Sequence, residues 1–178
     1  MTDWRPDTPF PLYWNDTELA TLGWIVATSS SCETQLRVAV KAVERLDFNQ
    51  WLRLDSSPAI DLAQRLKREA IKIDGELAEI AERLEAQSLA AFRLRAELVH
   101  GLCGEDPETG LPLSLHFRRK SLHSYDALDR AMGLFATLAH DVDAAVKKIA
   151  DLIIDGVLTE GVGKKGLLMR WRDRDVRF

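Results

Sequence analysis

Cysteine is scarce in this chain: Cys32 and Cys103 are the only two among 178 residues. They lie far apart, both in helical patterns, which suits two small buried residues in a reducing compartment and excludes a disulfide framework. No Cys/His spacing of the zinc-binding kind is present, so no metal site is expected. No uninterrupted apolar run reaches the roughly 20 residues that a membrane helix needs. Basic charge is also in short supply. With 24 Lys and Arg against 28 Asp and Glu the net charge is −4, which excludes the global positive field of a general nucleic-acid binder. Any nucleic-acid contact has to be local. Patterns for nucleophilic catalysis are missing. Gly161, Gly163 and Gly166 surround Lys164 and Lys165 without the residues or context of a phosphate-binding loop, so no nucleotide cofactor is implied. The first residues lack the basic start and apolar core of a signal peptide. The expected location is the cytoplasm, with no membrane partner.

What is there reads as an ordinary globular chain, 46% hydrophobic and 29% charged, of a length that favours one domain. Residues 1–15 hold Pro6, Pro9 and Pro11, which deny a helix and predict an extended arm. Its aromatics, Trp4, Phe10, Tyr13 and Trp14, pack against the bundle or meet a partner. A helical domain is expected over 16–156. Asn15 and Glu18 fit a capping box for its first helix, whose buried stripe reads Leu19, Leu22, Val26, Leu36, Val40 and Val43, interrupted at Ser29 to Ser31. Glu33 falls on that stripe, as a solvated edge residue or a partly buried acid. Leu54 to Ser57 reads as a loop. Ser57 then caps a second helix with Pro58 at its first position, carrying Ile60, Leu62, Leu66 and Ile71. Asp74-Gly75 marks a break or a kink.

The third helix carries Leu77, Ile80, Leu84, Ala91, Leu94, Leu98 and Leu102, and is expected to end at Gly101 and Gly104. An exposed turn-rich loop follows over 105–110. Leu113, Leu115 and Phe117 alternate with Ser114, His116 and Arg118, the period of a short extended segment or half a hairpin. A fourth helix starts near Ser124, buries Leu128, Ala131, Phe135, Leu138, Val142, Ala145, Ile149 and Leu152, and ends near Asp155-Gly156. Residues 157–178 form a basic tail. From Gly161 on it holds six basic and two acidic side chains, a solvated end or a phosphate contact.

The most informative stretch is Arg93-Leu-Arg95-Ala-Glu-Leu-Val-His100-Gly101. A helix terminus can aim a cation and an imidazole at a phosphate. At about 100° per residue, Arg95 lies some 60° from Leu98, inside or beside the apolar arc, while Arg93 and His100 share the opposite face within about 20°. Positions 95 and 100 are then about 140° apart, and meet only if the last turn loosens before Gly101. The alternative is structural: Arg93 pairs with Glu97, and His100 interacts with the helix dipole. Arg118, Arg119 and Lys120 add local positive charge after the loop, as phosphate contacts or as a solvated turn. His116, His123 and His140 read as bystanders.

An Arg-x4-His motif near the end of the third helix of an all-α bundle resembles the HEPN superfamily, the nucleotide-binding domains of higher eukaryotes and prokaryotes. The layout over residues 16 to 155 is similar too: a long first helix with an inward acid, a shorter second helix, the "RAELVHG" segment, a variable loop and a long last helix. The resemblance implies an HEPN-like bundle of four main helices with a short extended or hairpin insertion between the last two. It implies a metal-independent endoribonuclease of a toxin or phage-defence type, acting as a homodimer whose two motifs meet in one cleft, with RNA as substrate. A cognate antitoxin or nucleotidyltransferase-like protein is then an expected partner. Arg95 matches the motif arginine and His100 its histidine, as catalytic residues. Arg93, Arg118, Arg119 and Lys120 are the candidate substrate contacts. Ala96 departs from the pattern, since the family usually carries a polar residue there, often Asn. That departure points to the alternative, a non-catalytic dimeric interaction module or a nucleotide-binding module.

Overall fold

A computed structural model describes residues 16–46, 48–54, 56–100, 102–105, 112–116, 119–122 and 125–158. Four long helices form a bundle: α1 (Asp16–Glu44), α3 (Ala59–Ile73), α4 (Gly75–His100) and α5 (Tyr125–Ile154), with a short α2 (Phe48–Leu52) between the first two. Each long helix packs on two neighbours, in the ring order α1, α3, α4, α5 and back to α1. Between α4 and α5 lie β1 (Leu102–Glu105), β2 (Pro112–His116) and β3 (Arg119–Leu122), an antiparallel meander with β2 in the middle. Leu102 faces Leu115 in register across the first pair, and Leu113 faces Leu122 across the second. Among the described residues no helix is long and apolar enough to cross a membrane.

Of the alternating segment, Leu113 to His116 lie in β2, and β3 follows it; Phe117 and Arg118 lie outside the described residues. The expected helical end beyond Gly101 is corrected: α4 stops at His100, and Leu102, Cys103 and Gly104 belong to β1. Apolar spacing at Leu98 and Leu102 fits a helix and a helix-to-strand change equally well, so periodicity alone cannot place that boundary.

The α5 stripe is the clearest in the chain. All eight of its expected positions are buried, from Leu128 to Leu152. Gly156, at φ 75°, turns the chain back. The Leu158 amide then donates to the Leu152 carbonyl, and Leu158 is tucked into the core. In α1 the stripe is shifted. Its first half centres on Glu18, Ile25, Ser29 and Cys32, while Leu19 and Leu22 only flank the core. Ser29 satisfies its own hydroxyl by donating to the Val26 carbonyl at 2.8 Å, so a small polar residue holds a core position at little cost. Glu33 is half-buried and lies 3.7 Å from Arg37, one turn on. The expected capping box rests on Asn15, which lies outside the described residues.

Helix ends are fastened by local bonds. Arg45 sits at φ 53°, its amide donates to the Ala42 carbonyl, and the Leu46 amide donates to that of Lys41. This pairing closes α1 in the manner usually assigned to glycine. A side chain at positive φ costs roughly 1–2 kcal/mol, and glycine loses part of that gain through backbone entropy. Arg45→Gly should therefore raise stability by up to about 1 kcal/mol in a denaturant melt. The start of α3 is corrected as well. Pro58 is itself the cap residue, extended at ψ 150°, and its carbonyl accepts from Leu62. Ser57 instead donates its amide to the Leu54 carbonyl, closing the turn over buried Leu54. Ile71, expected on the buried stripe, is 65% exposed, and Ala70 takes the core position.

Candidate functional site at the end of α4

A single residue separates α3 from α4, and it serves both. The Asp74 amide donates to the Ala70 carbonyl, ending α3, while its Oδ1 accepts from the Leu77 amide at 2.9 Å, starting α4. Lys148 of α5 reaches the same carboxylate at 3.4 Å and Glu76 at 2.6 Å. The Leu77 amide, with Lys148 beside it, holds the Asp74 carboxyl below the usual carboxylate range. A depressed carboxylate stabilises the fold fully above its unfolded value, near pH 4, and the contribution fades as pH falls through the folded value. Thermal melts should therefore show wild type losing more stability than Asp74→Ala between pH 6 and pH 3.

From this anchor α4 runs unbroken to His100. Two rows of its residues face the bundle: Leu77, Leu84, Ala91 and Leu98, and Ala81 and Ser88, each row at seven-residue steps. Arg95 is the next member of the second row. It is half-buried, and its Nε is fully enclosed without a hydrogen-bond partner. An arginine on an inward-facing row keeps its stem inside and carries its charge toward the rim. Arg93 is exposed, and Ala96 and Glu97 are half-buried. The helix does not loosen before Gly101, so positions 95 and 100 stay about 140° apart around the axis. Within one chain, α4 does not bring the two motif positions onto one face.

The basic segment after the loop is placed in part. Arg118 lies outside the described residues. Arg119 and Lys120 open β3, opposite His116 and Leu115 of β2, and β2 rests against α4. The sheet therefore puts these two positions one strand away from the helix that carries the motif. Among the described residues, no three of His, Cys, Asp and Glu are grouped so as to hold a metal ion.

A polar set on α4 and α5 was not anticipated from the sequence. Asp141, 8% exposed, accepts from Gln87 Nε2 at 2.8 Å and from Arg83 Nη2 at 3.5 Å. Gln87 Oε1 and the Ser88 hydroxyl are enclosed without partners. The signal was available: Gln87 and Ser88 interrupt the apolar spacing between Leu84 and Ala91, and Asp141 adjoins the stripe of α5. An enclosed, unbonded hydroxyl is a net cost of about 1–3 kcal/mol. Ser88→Ala should therefore raise stability, by about 1 kcal/mol, in the same denaturant melts.

Two other features lie apart from the motif. Cys32 is buried, and burial pushes its thiol up to about 11, so it stays protonated and unreactive at neutral pH. Between α3 and α4 an open groove of about 230 Å³ runs over Lys67, which Glu82 and Glu85 hold at 3.3 and 2.9 Å. None of the motif residues lines it. The two carboxylates, Glu85 foremost, raise the Lys67 ammonium above its ordinary value and keep it charged. Compared with family models, with curated proteins and with solved structures, the chain has no significant match.

Proposed function

We propose that this protein is a metal-independent endoribonuclease of the HEPN type that acts as a homodimer, with Arg95 and His100 as its catalytic residues. The observation that carries the reading is Arg95: a cation on the inner row of α4, in its last turns, with an enclosed Nε that no described residue bonds. The motif, the bundle of four long helices and the strand insertion before α5 agree with it.

In the proposed reaction the RNA 2′-hydroxyl attacks the adjacent phosphate, and the 5′-oxygen of the next nucleotide leaves. A histidine has the proton affinity to take the hydroxyl proton or return one to the leaving oxygen near neutral pH. A guanidinium offers planar donors to the crowded phosphorane. Because positions 95 and 100 diverge around α4, the two groups converge on one phosphate only when a second copy supplies one of them. Arg93, Arg118, Arg119 and Lys120 supply flanking phosphate contacts.

Ala96 favours a second reading. It is half-buried where the family carries a polar group, so the same dimer would serve as a non-catalytic interaction or nucleotide-binding module, paired with an antitoxin or nucleotidyltransferase-like protein. Light scattering at tens of micromolar, together with incubation of the pure protein with mixed RNA in EDTA, decides between them. A dimer that cleaves RNA supports the first reading, an inert dimer the second, and a monomer removes the composite site on which both rest.

A further inference from the structure

We draw no further inference here: the strongest candidate, the uncharged outer side of α1 from Ala20 to Ser31 around the 43% exposed Trp24, is an apolar helix face, and nothing in the structure shows what covers it.

Discussion

Phe135→Ala is expected to remove about 3–5 kcal/mol of stability, a large part of the roughly 5–15 kcal/mol that holds a domain of this kind folded. Phe135 is fully enclosed, and its ring meets that of Phe92 edge to face, with centroids 5.3 Å apart and planes at 82°. Truncation loses the transfer energy of the ring, leaves a cavity on α5, and breaks an aromatic pair worth about 0.5–1.5 kcal/mol beyond its area. Leu98→Ala, on the row of α4 that faces the core, should cost about 2–5 kcal/mol by the same mechanism. Arg93→Ala, at an exposed position, should cost no more than about 1 kcal/mol. Urea melts of the three variants test the faces assigned to α4 and α5, and an Arg93 effect larger than that of Leu98 would refute them.

The largest kinetic effect is expected at the motif. His100→Ala should lower the rate of RNA cleavage by about a hundredfold or more, the usual scale for losing a general acid or base. Arg95→Ala should do likewise by withdrawing charge from the transition state. The products should carry a cyclic phosphate or a 3′-phosphate, because the nucleophile belongs to the RNA. Cleavage should persist in EDTA. Arg95 also allows a control that a structural residue would fail. Its enclosed Nε makes no hydrogen bond, so its removal breaks none at that atom. Arg95→Ala should therefore stay folded and dimeric, while cleavage collapses. Ala96→Asn should leave the rate unchanged or raise it. Equal inertness of wild type and His100→Ala on structured and unstructured RNA would end the ribonuclease reading and leave the interaction module.

Periodicity was most reliable where one face of one helix carries the whole core. On α5 the residues from Leu128 to Leu152 repeat at three- and four-residue steps without polar interruption, and no other register buries them all. The break at Asp74-Gly75 and the end at Asp155-Gly156 were legible for a related reason, since each uses local chemistry that needs no tertiary partner: a carboxylate cap in one case, a glycine at positive φ in the other. The motif was legible in the same sense, as residue types at a fixed spacing.

What only the tertiary structure decided depends on neighbours. Ser29 and Ser88 are core residues because adjoining helices cover them, although their hydroxyls argue against burial. In α1 this moved the stripe onto Ile25 and Cys32. Ile71 looks apolar enough to bury, yet α3 turns it outward, and Leu66 and Ala70 hold the core positions on that helix. Leu102 continues a helical spacing, yet it belongs to β1, whose strand character comes from its pairing with β2, a register of four residue pairs that no local pattern encodes. Arg95 shows the division most clearly. The sequence by itself put an arginine near the apolar arc of a helix ending at His100. Packing enclosed its Nε and kept α4 regular to the end, and that regularity holds positions 95 and 100 apart, because a backbone whose hydrogen bonds are intact to its last turn has no reason to unwind.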